Sequence, residues 1–350
     1  MHRFACGVLL ALSAALAAGQ PLDRLGAVGD SLTDEYFEAD YDYARNWTIL
    51  LVDERGLTFG PTAAEAGQPG GTWGEPRRTG YEDNWARSGA TIDDALATGQ
   101  HLGVADGAVN RGVSHVVVNI GVNDFIGDAY AEIYDGNWTQ AQIDAWITQR
   151  TDHLGSIVDT ILPTGAGVVL LSLLDPGVAP LTQSLFPDPV AREAAALALA
   201  QWRDAIRDLA AVRNLVFLDQ FAFGRAVFGT HLAPRTILLV GNVEIDLTAA
   251  DTPTGADPTA AFVHDFFHPN TVLQAIAATL VSTALNLGFA TGIAPLSEEE
   301  MLGAAGIPYG GSDTLEGEIG PLSGFVTAFD NIFSDGFETG DTSAWSVTVP

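Results

Sequence analysis

A serine stands where a short apolar segment of the chain breaks at a glycine. Residues 25–28 are enough for a brief buried strand, and Gly29 permits the sharp turn that would expose Ser31 at the end of that strand. A serine hydroxyl becomes an effective nucleophile when a histidine takes its proton, another group orients that histidine, and hydrogen-bond donors meet the oxyanion. Ser31 is therefore a candidate nucleophile, although a Gly-Asp-Ser turn by itself is equally typical of a helix cap.

A candidate base and its acid partner lie far along the chain, where Asp265 precedes His268 by three residues. On a tight turn this spacing lets the carboxylate accept a hydrogen bond from the ring N–H and fix the histidine tautomer. Pro269 suits the first turn of a helix predicted over residues 272–287, so the histidine would sit at a stiff helix entrance. The histidines that we interpret as structural or surface residues are His101, His115, His153, His231 and His264.

Two further polar segments lie between these ends. Residues 84–91 place Gly89 on a loop, where a glycine lets a backbone N–H come close to a ligand. Residues 121–124 place Asn123 just after a predicted strand. In an open α/β sheet the carboxyl ends of the strands form the ligand-binding edge, so Asn123 and Ser31 are predicted to share a site.

Taken together, the four segments resemble the SGNH, or GDSL, hydrolase family, over roughly residues 24–290. The resemblance implies Ser31 as nucleophile, His268 as base and Asp265 as the acid partner. It also implies an oxyanion hole made of the Ser31 and Gly89 backbone N–H groups and the Asn123 side-chain amide, with no metal and no organic cofactor. An α/β-hydrolase is a poorer interpretation, because the sequence has no Gly-x-Ser-x-Gly elbow and the acid lies just before the histidine.

Buried strands alternate with amphipathic helices along most of the chain. This alternation is typical of βαβ units with a parallel sheet, and the resemblance implies a three-layer α/β/α sandwich with a flavodoxin-like sheet. Strands are predicted over residues 25–28, 114–120, 168–174 and 215–218, and helices over residues 46–52, 92–102, 139–161, 191–212 and 272–287.

Composition restricts the partners. The 350 residues include 44 acidic and 15 basic side chains, all of the latter arginine, for a formal net charge of −29. Such a charge disfavours electrostatic binding to nucleic acid or to an anionic membrane. The hydrophobic share of 47% argues against global disorder and suits one catalytic domain with appendages.

Residues 1–19 are predicted to be a signal peptide. His2 and Arg3 precede an apolar run over residues 4–18 that ends in small residues. A membrane anchor is the weaker alternative, because the run is shorter than the about 18 residues that a spanning helix needs. Cys6, the only cysteine in the sequence, would be removed with this segment. The sequence therefore predicts a secreted protein, extracellular or periplasmic, without disulfides or an integral membrane span, and leaves association with the cell surface open.

The hydrolase domain is predicted over residues 20–295, with an insertion over residues 221–262. Residues 236–240 and 243–247 flank Gly241 and Asn242, which predicts a hairpin with a two-residue turn. Two interpretations of this insertion stay open. It forms a wall of the substrate cleft, or it is an edge hairpin of no functional weight.

Residues 296–350 are predicted to be an acidic tail rich in Gly, Ser and Asp. Beyond residue 311 the sequence has few apolar residues and no basic one, which is typical of a poorly packed segment. Residues 332–346 resemble a short C-terminal motif that recurs on exported bacterial proteins, and also the opening of some carbohydrate-binding jelly rolls. Too few residues remain for a jelly roll, so we interpret the motif as a sorting or docking tag.

These observations predict a secreted serine esterase or lipase that hydrolyses carboxylic acyl esters through an acyl-enzyme. An alternative is a carbohydrate esterase, such as an acetyl esterase acting on acylated glycans, because the same five residues would serve. An alternative of another class is a non-catalytic glycan-binding or adhesion protein on a hydrolase scaffold, although such a protein has no use for a paired Asp and His. The expected partner is a small-molecule, lipid or glycan ester.

Overall fold

The computed structural model describes residues 22, 24–38 and 41–329. The predicted signal peptide and the C-terminal motif over residues 332–346 lie outside the described residues.

The strands of the described chain form one five-stranded sheet and two small ones. They are β1 (Leu25–Gly29), β2 (His115–Asn119), β3 (Gly167–Leu171), β4 (Val216–Leu218), β5 (Gly229–Thr230), β6 (Ala233–Pro234), β7 (Ile237–Val240), β8 (Val243–Ala250), β9 (Ala260–Phe262) and β10 (Val326–Ala328).

The α-helices of the described chain fall mostly between these strands, as the sequence predicts. They are α1 (Trp47–Arg55), α2 (Ile92–Thr98), α3 (Gln100–Asn110), α4 (Val122–Asp124), α5 (Ala131–Tyr134), α6 (Gln140–Ile161), α7 (Pro180–Leu185), α8 (Pro189–Val212), α9 (Gln220–Phe228), α10 (Thr271–Phe289), α11 (Glu298–Ala304) and α12 (Leu315–Ile319). The single helix predicted over residues 92–102 is two helices, because Gly99 adopts a φ of 79° between them.

The main sheet has the order β1-β2-β3-β4-β10, and its first four strands are parallel. A further extended segment runs beside β1. The Ala27 N–H donates to the Asp83 carbonyl at 3.0 Å, and the Trp85 N–H donates to the Ala27 carbonyl at 2.8 Å. With this segment outside β1, the strand order is the flavodoxin-like one that the sequence predicts.

The sheet is buried on both faces. Helices α1 and α10 pack against one face, and α3, α6 and α8 form the layer on the other. Side chains alternate between the two cores along each strand, so Val117 joins the first while Val116 and Val118 join the second. This is the predicted three-layer α/β/α sandwich, and it explains why the strands are mostly apolar rather than alternating with polar residues.

Helix α10 is long and apolar enough to cross a membrane by length and composition, but its most apolar window is 67% buried inside the protein. Its side chains pack between β3, β4 and α1. The burial identifies α10 as a core helix of the sandwich.

The predicted hairpin in the insertion is formed by β7 and β8, with Val240 opposite Val243 across the Gly241-Asn242 turn. Strand β9 pairs in parallel with β8, so the insertion carries a sheet of its own. Phe262, the last residue of β9, forms a bridge with Pro269, which follows the candidate base. The insertion therefore supports the histidine turn from behind.

The prediction of a poorly packed segment beyond residue 311 is wrong for residues 311–329. Strand β10 pairs antiparallel with β4 and closes the edge of the main sheet. Leucines and a methionine at wide spacing are nearly fully buried against α10 and the hairpin: Leu296, Met301, Leu302, Leu315 and Leu322. A low average hydropathy conceals this packing, because a few well-placed apolar side chains are sufficient to fix a segment whose backbone is paired.

A buried carboxylate fastens this C-terminal segment to the hairpin. Glu298 accepts hydrogen bonds from the backbone N–H groups of Gly241, of Thr314 at 2.9 Å and of Leu315 at 2.9 Å. Three backbone donors satisfy one buried acceptor, which is the arrangement that a buried charge requires.

We expect a chain that ends at residue 307 to be substantially destabilised. The truncation removes β10, leaves the edge of β4 unpaired, and exposes the surface that Leu315 and Leu322 cover. Each buried leucine stabilises the fold by about 1.5–3 kcal/mol, so the melting temperature should fall by roughly 10 °C or more. A chain ending at residue 329, which keeps every contact described above, is the reference. Equal melting temperatures for the two chains would contradict the packing described here.

Candidate active site

The nucleophile turn follows β1 directly. Asp30 Oδ1 accepts from the Leu32 N–H at 3.1 Å, and the Asp30 carbonyl accepts from the N–H groups of Thr33 and Asp34 at 3.0 and 2.9 Å. These bonds hold Ser31 at the carboxyl end of the sheet. Gly29 is required for a reason other than the predicted sharp turn. A Cβ there would lie 2.8 Å from the Asn119 carbonyl oxygen, so the glycine provides space between two strands.

The base reaches the nucleophile from a second turn. His268 Nε2 lies 2.7 Å from Ser31 Oγ, and His268 Nδ1 lies 2.5 Å from Asp265 Oδ2. Phe266, between the acid and the base, has a φ of 65°, which bulky residues rarely adopt. The turn closes through the Val263 N–H, which donates to the His268 carbonyl at 2.8 Å. This strained but hydrogen-bonded turn thus places Asp265 and His268 beside Ser31, which precedes His268 by 237 positions.

The second carboxylate oxygen of Asp265 is held by the backbone. Asp265 Oδ1 accepts from the N–H groups of Phe267 at 2.8 Å and His268 at 3.0 Å. Burial by itself would raise the pKa of Asp265, but the hydrogen bond and charge of His268 together with the two backbone bonds lower that pKa to about 2. Asp265 is therefore ionised at every pH at which His268 could act as a base.

Gly89 and Asn123, two of the predicted oxyanion donors, line the same cleft as Ser31. Gly89 adopts a φ of 79° in a turn fastened to the nucleophile turn, because the Ser88 N–H donates to Asp34 Oδ2 at 2.7 Å. Asn123 lies in α4, just beyond the end of β2, and its Nδ2 donates to the Ala90 carbonyl at 2.9 Å. A primary amide has two N–H bonds, so one fixes the Asn123 side chain while the other stays available.

Sequence comparison identifies the family. Residues 25–281 match the model of the GDSL-like lipase/acylhydrolase family. The chain belongs to this family. It is therefore a serine hydrolase that acts on ester bonds. No match was found among curated proteins.

Several solved structures are similar to this hydrolase. TesA is 19% identical, with 75% of this chain and 98% of that chain covered and a TM-score of 0.41. A GDSL-like lipase from Bacteroides thetaiotaomicron is 15% identical, with 76% of this chain and 88% of that chain covered and a TM-score of 0.41. A variant of Axe2, an acetyl xylan esterase from Geobacillus stearothermophilus, is 16% identical, with 77% and 96% covered and a TM-score of 0.41.

The hydrolase has an open cleft of about 540 Å³ above the nucleophile. Four of the five predicted site residues line it, namely Ser31, Gly89, Asn123 and His268, while Asp265 stands behind the histidine. The β7–β8 hairpin contributes no residue to the cleft lining in the described chain. For the hairpin itself this favours the interpretation as an edge hairpin.

The cleft also contains residues to which sequence reasoning gave no role. Asp34, Glu35, Tyr41 and Arg78 form a polar rim, and Ile126, Leu181 and Phe267 contribute apolar surface. No spacing or periodicity distinguishes these positions. One weak signal does exist, since Asp34 and Glu35 follow the nucleophile within four residues.

Two buried carboxyls lie beneath the site. Burial raises the pKa of Asp30 to about 7 and that of Asp124 to about 6. A hydrogen bond from the backbone, of Leu32 to Asp30 and of Ile92 to Asp124, partly offsets each rise in pKa. Asp124 also faces Arg150, at 3.3 Å. In residues 24–38 and 41–329, no group of three or more His, Cys, Asp or Glu side chains is arranged to hold a metal ion.

Proposed function

We propose that this chain is a secreted serine esterase that hydrolyses carboxylic acyl esters through an acyl-enzyme, with Ser31, His268 and Asp265 as its catalytic triad. The observation that carries the proposal is the continuous hydrogen-bonded chain from Ser31 Oγ through the His268 ring to Asp265, open to one cleft. Secretion rests on the predicted signal peptide over residues 1–19.

In the first half-reaction, His268 Nε2 takes the proton of Ser31 Oγ as that oxygen attacks the ester carbonyl carbon. Asp265 holds Nδ1–H and stabilises the imidazolium that forms. The protonated Nε2 then donates its proton to the leaving alcohol oxygen as the C–O bond breaks. In the second half-reaction His268 takes a proton from water, which attacks the acyl-Ser31 ester. The carboxylic acid is released, and the His268 proton passes to Ser31 Oγ.

The negative charge on the carbonyl oxygen needs donors that are in place before the reaction. We assign this role to the backbone N–H groups of Ser31 and Gly89. Neither donates a hydrogen bond to another group among the described residues. The free N–H of the Asn123 amide is the third donor. Three preorganised donors stabilise the oxyanion without reorganising at the moment of attack.

A second candidate, an esterase that deacylates glycans, is favoured by the polar rim of the cleft. Asp34, Glu35, Tyr41 and Arg78 offer both donors and acceptors, as the hydroxyls of a sugar require. A non-catalytic binding protein is disfavoured, because it has no need of an Asp265 carboxylate aligned behind a histidine.

A substrate panel tests the proposed function. We expect Ser31-dependent hydrolysis of p-nitrophenyl acyl esters, with short chains preferred because Ile126, Leu181 and Phe267 provide only a small apolar lining. An acetylated glycan in the same panel, with acetate release as the readout, separates the two candidates. Hydrolysis that persists in Ser31→Ala, or no turnover of any ester by a folded chain, would contradict the proposal. Glycan binding without hydrolysis would favour the binding protein.

A further inference from the structure

A tyrosine from the segment after the nucleophile touches both other members of the triad. We propose that Tyr41 is a positioning residue, which fixes Asp265 with its hydroxyl and His268 with its ring. The proposal depends on the proposed function, because it concerns the same triad. Tyr41 is separated from Asp265 by 224 positions, so only the fold brings them together.

The hydroxyl contact completes the surroundings of the carboxylate. Tyr41 Oη donates to Asp265 Oδ2 at 2.9 Å, the same oxygen that lies 2.5 Å from His268 Nδ1. The other oxygen, Oδ1, is already held by the N–H groups of Phe267 and His268. The tyrosine therefore prevents the carboxylate from rotating out of the plane in which it meets the imidazole.

The ring contact restricts the base itself. The centroids of the Tyr41 and His268 rings are 5.4 Å apart with an angle of 36° between their planes. Tyr36 approaches the same imidazole edge-on at 6.4 Å and 85°. Tyr41 and His268 both line the cleft, so the tyrosine ring lies beside the imidazole at the surface of the cleft.

The hydroxyl also changes the balance of charge. A donor on Oδ2 withdraws negative charge from the oxygen that faces His268, so the carboxylate stabilises the imidazolium less than it would alone. Loss of the hydroxyl should therefore strengthen the interaction between the Asp265 carboxylate and the imidazolium that forms during catalysis. The titratable groups that face this pair include Asp30 beneath the nucleophile, Tyr36, Tyr43, and His264, whose ring lies 5.6 Å from that of Tyr41.

A neighbouring tyrosine provides a matched control. Tyr43 Oη lies 2.9 Å from His264 Nδ1 and accepts from the His264 N–H at 2.9 Å. It thus binds the same turn through a hydroxyl but makes no hydrogen bond to the triad. Tyr43→Phe tests the effect of losing a hydroxyl that binds only the turn. Tyr41→Phe instead removes the hydrogen bond to Asp265 and keeps the ring.

In Tyr41→Phe we expect kcat to fall about 3- to 30-fold with little change in KM, and the acid limb of the kcat/KM profile to move upward by about half to one pH unit. Tyr43→Phe should lower the melting temperature without moving that limb. An unchanged limb in Tyr41→Phe, or equal shifts in both variants, overturns the proposal.

A second measurement is independent of turnover. In a Ser31→Ala background, the far-downfield proton resonance of the His268 Nδ1–H should shift when Tyr41→Phe is added and stay in place when Tyr43→Phe is added. An unmoved resonance in the Tyr41 variant overturns the positioning role even if the chain hydrolyses no ester. Absence of Ser31-dependent turnover in the unmodified chain, by contrast, contradicts only the proposed function.

Discussion

Ester turnover should fall by about 10⁴- to 10⁶-fold when Ser31 is replaced by alanine, while the fold stays intact. The residue supplies the only oxygen within hydrogen-bond distance of His268 Nε2 in the described chain, at 2.7 Å. It contributes little to the core, since its neighbours Asp30 and Thr33 make the bonds that shape the turn. Removing the hydroxyl therefore removes covalent catalysis and little stability.

The measurement is kcat/KM on the best ester of the panel, with the melting temperature as the check on folding. His268→Ala should behave like Ser31→Ala, because the two residues act as a unit. His264→Ala is the matched control for the histidine, since His264 lies on the same turn but bonds to Tyr43 instead of to the nucleophile. Turnover retained by a folded Ser31→Ala would assign the chemistry to another group.

Much of the fold is encoded locally, which is why the sequence predicts it. Residues 114–120 include three consecutive valines and Ile120 and end before Gly121, a pattern typical of a strand buried on both faces. The adjacent ends of β1 and β2 follow from the parallel register, in which Gly29 lies opposite Asn119. Ser31 and Asn123 reach the same edge for that reason alone.

The features that the sequence does not reveal depend on contacts between distant segments. Strand β10 has three residues, and it forms because the far edge of β4 is free to pair with it. Tyr41 has no spacing relation to Asp265, and only the turn at Phe266 brings them within hydrogen-bond distance. Local patterns predict elements and their order, whereas these contacts arise only once the elements have packed.

Asn123→Ala should lower kcat about 10²- to 10³-fold with little change in KM and only a small change in melting temperature. The amide donates one N–H to the Ala90 carbonyl at 2.9 Å, which orients the side chain, and the proposed oxyanion bond uses the other. A residue that only capped the turn after β2 would contribute about 1 kcal/mol to stability and nothing specific to the transition state. The ratio of the two effects therefore distinguishes a donor from a cap.

Asn119→Ala is the matched control. Asn119 is the last residue of β2, and its amide donates to Thr33 Oγ1 at 3.1 Å, away from the cleft lining. We expect it to reduce the melting temperature more than Asn123→Ala and kcat far less. Asn123→Asp should be worse than Asn123→Ala, since its carboxylate would face both the Ala90 carbonyl and the developing oxyanion. If Asn123→Ala lost stability but kept most of its kcat, the oxyanion would be stabilised by the Ser31 and Gly89 backbone N–H groups alone.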